Sequence, residues 1–144
     1  MNSTFGLCDV SQTKYYVITD KAFDLVCFLM TAYKVERLLK SLVGELNVSA
    51  GLSHRQNHGQ DCSYHIGKHP ELVAWPQSTL QVTQIAKVCS QYKFPIIAYG
   101  TGTGLEGGLS AEQGGICLNL QKMDRILDYN PEDFNVTVQP GMTR

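Results

Sequence analysis

Five glycines fall within nine residues of this chain, at Gly100, Gly102, Gly104, Gly107 and Gly108, and they restrict the fold more than any other feature. They follow a short apolar run, Phe94-Pro-Ile-Ile-Ala-Tyr99, whose β-branched and aromatic content predicts a buried strand. Without side chains the backbone is free to take positive φ, and a second body approaches the main chain closely. An anion is the natural partner for such a surface. Successive N–H groups turned inward form a concave anion site, to which Thr101 and Thr103 add hydroxyl donors. Between Phe94 and Asn119 the only charged residues are Glu106 and Glu112, so backbone dipoles would have to hold a phosphate without help from Lys or Arg.

Four readings compete for this loop. A mononucleotide P-loop fails because Gly108-Leu109 stands where Lys-Ser/Thr is required. The dinucleotide fingerprint is matched in letters by Gly102-x-Gly104-x-x-Gly107, with Asp124 about twenty residues on. That fingerprint must open a helix, however, and Leu109 to Gly115 is Ser/Gly-rich and leads into Ile116-Cys-Leu-Asn-Leu120, which reads as a strand. The third reading is a pyrophosphate loop between two strands. The fourth, a plain hairpin connection, needs one or two glycines, and each extra one costs roughly 0.5–1 kcal/mol in chain entropy.

The flanking pattern supports an α/β (α+β) fold. Leu72 to Trp75 reads as a strand closed by Pro76, and Ser78 with Gln81 makes a capping box. Val82, Ile85, Ala86 and Cys89 mark the buried face of a helix ending near Tyr92. With the strand at Pro95–Tyr99 this makes a strand-helix-strand unit, whose crossover in a parallel sheet is right-handed. Ligands of open α/β sheets bind beyond the carboxyl ends of the strands, from which the glycine loop departs. Further short half-buried strands are expected at Ile116-Leu118-Leu120 and at Phe134-Val136-Val138, with a turn at Pro131-Glu-Asp133.

Upstream, Val35, Leu38, Leu39, Leu42, Val43 and Leu46 recur at helical spacing, predicting an amphipathic helix over Lys34 to Asn47. The apolar stretch Ala22 to Tyr33 is too short to span a membrane and reads as a buried or amphipathic helix. All four histidines, His54, His58, His65 and His69, lie in one polar segment with Asp61 and Cys62. Their H-x-x-x-H spacings suit a metal ion, but the Gly/Ser/Gln-rich context favours loop residues holding none. Asp124, Arg125 and Asp128 read as solvated or structural.

A hydrophobic content of 43% and charged content of 17% indicate a globular protein, and a net charge of −1 argues against a nucleic-acid partner or a polybasic membrane anchor. Cys8, Cys27, Cys62, Cys89 and Cys117, odd in number and without a C-x-x-C pair, read as reduced thiols.

Tyr99-Gly-Thr-Gly-Thr-Gly-Leu-Glu-Gly-Gly108, Gly114-Gly-Ile-Cys-Leu-Asn-Leu120, Met123-Asp-Arg-Ile126 and Val138-Gln-Pro-Gly141 occur in order, and together they resemble the FAD-binding domain of the vanillyl-alcohol-oxidase (PCMH) type. Within that family the similarity is to the mitochondrial D-lactate dehydrogenases that pass electrons to cytochrome c. His58-Gly-Gln-Asp-Cys-Ser63 resembles the segment leading into the flavin domain. The resemblance implies the first lobe of a two-lobed FAD-binding domain, with FAD held by Tyr99, Gly100, Thr101, Gly102, Thr103, Gly104, Leu105, Gly107 and Gly108. It implies oxidation of D-lactate to pyruvate, cytochrome c as acceptor, a mitochondrial location, no metal and no integral membrane span. The chain is expected to divide into an atypical leader to which the resemblance does not extend (1–33), an amphipathic helix and His-containing lead-in (34–70) and an incomplete flavin domain (71–144). The ending at Pro140-Gly-Met-Thr-Arg144 looks cut off, and no catalytic base or substrate-binding cation is identified, so this chain alone is expected to be inactive and to bind FAD weakly or not at all. The alternative is a truncated, non-catalytic product. Replacing Gly102 by Val is expected to abolish flavin retention with the fold largely intact.

Overall fold

The computed structural model describes residues 20–143. Cys8, Arg144 and the first nineteen residues of the leader lie outside the described residues. The elements in order are α1 (Asp20–Val43), a 3-10 turn (Glu45–Asn47), β1 (Val48–Ser49), α2 (Leu52–Asn57), β2 (Leu72–Ala74), α3 (Thr79–Gln91), β3 (Ile96–Tyr99), β4 (Ile116–Asn119), β5 (Ile126–Asn130) and β6 (Asn135–Val138).

Four strands form one mixed sheet in the order β1-β2-β4-β3. β2 and β3 both run parallel to β4, which lies between them, while β1 pairs antiparallel with β2. The β2-α3-β3 unit thus steps over the position that β4 later fills, and the glycine-rich stretch is a crossover between parallel neighbours, not a hairpin turn. Parallel neighbours need a connection of a dozen or more residues, usually a helix. Here residues 100–115 make that connection with neither helix nor strand, which also sets aside the dinucleotide fingerprint.

α1 and α3 cover the sheet. Ala32, Val35, Leu39 and Val43 on α1 and Ile85 and Cys89 on α3 pack with Leu72, Ala74, Ile116 and Leu118. α1 is one continuous helix across position 33/34, and Phe28 stacks on Phe94 with ring centroids 5.7 Å apart. It ends earlier than its periodicity predicts. Gly44 takes φ 93°, breaking the helix after Val43 and leaving Leu46 95% exposed; Leu38 and Leu42 also lie outside the core. The α3 cap forms as expected, with the Ser78 hydroxyl accepting from the Gln81 N–H at 3.3 Å. The reciprocal bond is displaced by one residue, since the Gln81 side chain accepts from the Gln77 N–H at 2.7 Å.

Three strand expectations are corrected. β4 is buried along its whole length, because it is central in the sheet and its odd residues are the apolar thiol Cys117 and the fully hydrogen-bonded Asn119. β3 is only half-buried, because it is the edge strand and Ile96 faces out at 41% exposure. β5 and β6 form a separate two-stranded antiparallel sheet that is exposed except at Asn130, so Phe134, Val136 and Val138 are not half-buried. Pro131 to Asp133 does mark its turn, where Phe134 takes φ 53°. Asp124, Arg125 and Asp128 are all exposed. Among the described residues no helix is long and apolar enough to cross a membrane.

Candidate functional site

The carboxyl ends of β3 and β4 carry two layers of side chains with different tasks. The lower layer is a buried polar network. His58, at the end of α2 and only 8% exposed, places its Nδ1 2.7 Å from the His54 carbonyl, which can only accept. Nδ1 therefore bears the proton, and Nε2 accepts from the Asn119 amide at 2.8 Å. Asn119 Nδ2 donates also to Gln121 Oε1, and its own Oδ1 takes the Gln121 N–H at 2.9 Å, so the buried amide is fully used. Burial pushes the His58 pKa down, keeping the ring neutral. Its ring lies 4.5 Å from Tyr99 and edge-on to Trp75 at 5.6 Å. Burial likewise pushes the Tyr99 phenol up.

The upper layer is the glycine loop itself. It opens a cleft of about 350 Å³ lined by Asp61, Ala98, Glu106, Leu109 and the run Gly100 to Leu105 with Gly108. Of the nine residues singled out from the sequence, the structure brings Gly100, Thr101, Gly102, Thr103, Gly104, Leu105 and Gly108 onto this wall. Tyr99 and Gly107 lie outside the lining. The Tyr99 ring turns under the loop instead, such that a Cβ on Gly102 would fall 2.7 Å from its hydroxyl. Thr101 and Thr103 present their hydroxyls together, 3.1 Å apart.

The glycines separate by what the fold asks of them. Gly102 has φ 77° and Gly115 φ 110°, and a Cβ on Gly115 would strike the Pro95 carbonyl at 2.3 Å. Those positions require glycine for backbone reasons. Gly100 and Gly108 do not: neither has positive φ, and nothing lies within 4 Å of an added Cβ at either. Both are exposed on the cleft wall, so the protein itself supplies no reason for a bare backbone there.

The segment from Asp61 to His65 forms the floor. Cys62 donates its N–H to the Gly104 carbonyl at 3.0 Å, and the His65 ring packs beneath Gly107. The Ser63 hydroxyl and backbone N–H hold the Asp61 carboxyl below the usual carboxylate range. Asp61 Oδ1 accepts that N–H at 3.0 Å, while Oδ2 is buried with no hydrogen-bond partner among the described residues. In the sequence this segment reads only as a polar lead-in, because its contact with the glycine loop is long-range. At the far end the loop is tied down by Lys68, whose ammonium reaches Glu112 at 2.5 Å and whose N–H reaches the Ser110 hydroxyl at 2.9 Å.

The four histidines do not converge: His54 and His58 flank Trp75, and His65 and His69 lie in the irregular segment between α2 and β2. Arg55 is engaged structurally, donating to the Pro70 carbonyl at 2.6 Å. A separate hollow of about 400 Å³ beside α1 is lined by Met30, Tyr33, Lys34 and Tyr92 among others and contains no glycine.

A glycine-lined cleft at the carboxyl ends of parallel strands, with no Lys or Arg on its wall, lies where modules of the α/β class bind their ligands. Residues 70–144 match the model of the family described as FAD binding domain. The chain belongs to that family, and to its vanillyl-alcohol-oxidase or PCMH type, whose cofactor is FAD. It is 43% identical over 135 residues to the probable mitochondrial D-lactate dehydrogenase of Danio rerio, a match covering 88% of this chain and 27% of that protein. That share is larger than residues 34–144 make up, so the match reaches back into the leader. It is 36% identical over 106 residues to the mitochondrial D-lactate dehydrogenase [cytochrome] of Arabidopsis thaliana, covering 72% of this chain and 18% of that one. The fold is that of p-cresol methylhydroxylase with substrate bound, at a TM-score of 0.71 and 23% identity, over 79% of this chain and 23% of that structure. The chain spans about a quarter of the length of the first of these relatives.

The residues present fit the cofactor. The cleft wall leaves bare the two positions, Gly100 and Gly108, that a Cβ would fill on the ligand side, and it offers backbone N–H and hydroxyl donors.

Proposed function

We propose that this chain is the first lobe of the FAD-binding domain of a flavin-dependent D-2-hydroxy acid dehydrogenase acting on D-lactate, and that the loop from Tyr99 to Gly108 cradles the FAD pyrophosphate. The observation that carries the reading is the pair of exposed glycines, Gly100 and Gly108, for which the fold has no use. Gly100 to Gly104 would turn backbone N–H groups to the phosphates, and Thr101 and Thr103 would add hydroxyl donors. Leu105 would cover the rim, Gly107 would let the loop turn over His65, and Tyr99 would hold Gly102 from below. The flavin, when bound, supplies hydride acceptance. This chain's residues bind and orient it, and Asn119, His58 and Tyr99 keep the supporting end of the sheet rigid.

Pyruvate as product, cytochrome c as acceptor and a mitochondrial location follow from the names of the relatives and are part of this proposal. The affinity of the 144-residue chain for FAD is expected to be low. A few charge-assisted hydrogen bonds of roughly 1.5–3 kcal/mol each must offset about 4–15 kcal/mol of association entropy.

An amide-resolved NMR titration with FAD tests the assignment at such affinities. Shifts concentrated at Gly100 to Gly108 are expected; a folded chain whose glycine amides stay still at millimolar FAD would overturn it and leave the non-catalytic alternative. The dehydrogenase reading is tested by D-lactate-dependent reduction of cytochrome c, with this segment continued to the length of its relatives.

A further inference from the structure

The floor of the cleft carries a charge that a phosphate site would ordinarily avoid. Asp61 Oδ2 lies 3.3 Å from the Cβ position of Gly104, buried and without a hydrogen-bond donor. The side chain lines the cleft, its Oδ1 is taken by the Ser63 N–H, and its charge therefore faces any ligand held there. Glu106 adds a second carboxylate on the lining, and no Lys or Arg lines the cleft. The nearby ammonium of Lys68 is already engaged by Glu112. A cradle of neutral N–H dipoles over a buried anion suits ligands that need few compensating charges.

We propose that Asp61 is a specificity-determining residue of this site: its buried charge, with that of Glu106, admits a pyrophosphate diester and rejects a terminal phosphate. The proposal rests on the pyrophosphate reading of the loop. Each phosphate of a diester carries one negative charge, whereas the terminal group of a nucleoside diphosphate approaches two at neutral pH, with its second ionisation near pH 6. The additional charge has no cation to meet it here and faces two carboxylates. Asp61 also has a positioning part, since Cys62, the residue after it, donates its N–H to the Gly104 carbonyl.

The test compares ADP-ribose, a pyrophosphate diester, with ADP, a monoester, on the full 144-residue chain by glycine-amide NMR titration. Wild type should prefer ADP-ribose. Asp61→Asn should narrow that preference by roughly three- to tenfold, mainly by tightening ADP, and the change should shrink as salt is raised. Lowering the pH from 7.5 to 5.5, which protonates the terminal phosphate, should narrow the preference in wild type. Glu106→Gln, a change on an exposed side chain, should move the ratio in the same direction if Asp61→Asn does not fold. If Asp61→Asn or Glu106→Gln weakens both ligands equally, or leaves the ratio unchanged, the charge has no discriminating role and the proposal fails by itself. If neither ADP-ribose nor FAD shifts the glycine amides of folded wild type, the pyrophosphate reading fails and this proposal with it.

Discussion

A methyl group at Gly100 separates what the ligand needs from what the fold needs. The position has no positive φ, and an added Cβ meets nothing within 4 Å, so Gly100→Ala introduces neither strain nor overlap. By narrowing the unfolded ensemble, the substitution should stabilise the chain by about 0.4–1 kcal/mol. For a domain of this size that raises the thermal midpoint by roughly 1–4 °C. The new carbon stands on the cleft wall, where, on the proposed pyrophosphate reading, it would hold a phosphate off the backbone N–H groups. Each charge-assisted hydrogen bond so lost is worth roughly 1.5–3 kcal/mol, or a 10- to 150-fold loss of FAD affinity. Circular-dichroism melting measures the first effect, and NMR or fluorescence titration with FAD measures the second. A variant that melts at or above the wild-type temperature and binds FAD as well as wild type would refute the reasoning.

Gly115→Ala is the converse control: at φ 110°, with the Pro95 carbonyl 2.3 Å from the new Cβ, it should prevent folding or lower the melting temperature sharply, independent of ligand. Gly102→Val is less clean than the sequence suggests, because φ 77° and the Tyr99 hydroxyl burden the fold as well as the cleft; both stability and flavin binding should fall. Asn119→Ala leaves the buried His58 Nε2 without its donor and should cost about 1–3 kcal/mol by urea denaturation. Burial pushes the Cys89 thiol up to about 11 and the Cys117 thiol up to about 12, so both are held protonated in the folded chain. Their contribution is fully present below the unfolded thiol pKa near 9 and is lost as pH rises towards those values. Stability should therefore drop by about 1–3 kcal/mol between pH 8 and pH 10, and a Cys89→Ala, Cys117→Ala pair should flatten that slope.

The parts of the fold legible in the sequence are those whose signals are local. Ser78 and Gln81 mark the start of α3, Pro76 closes β2, and the glycine run marks the loop, because caps and breakers act within a few residues. Burial was less legible because it depends on neighbours. Nothing within Ile116 to Asn119 says that β4 lies between β2 and β3, so its alternation alone indicates a half-buried face. The six residues of α2 lack both a long period and a side-chain cap, so nothing local distinguishes them from loop. At the site, the wall was legible from glycine spacing. The floor was not, since Asp61 and Cys62 reach Gly104 from some forty residues away, and no local pattern announces a long-range hydrogen bond.

The crossover between β3 and β4 also bears on how sequences of this kind can drift. A flexible connection costs entropy only as the logarithm of its length, so adding three residues to the segment 100–115 would cost about 0.2 kcal/mol. Length there is nearly neutral for the sheet, while the chemistry of individual positions is not. Insertions and deletions among distant copies of this chain should therefore be rarest at Gly100 to Gly104, which keep their spacing from the end of β3, and at Ser110 to Glu112, which Lys68 ties down.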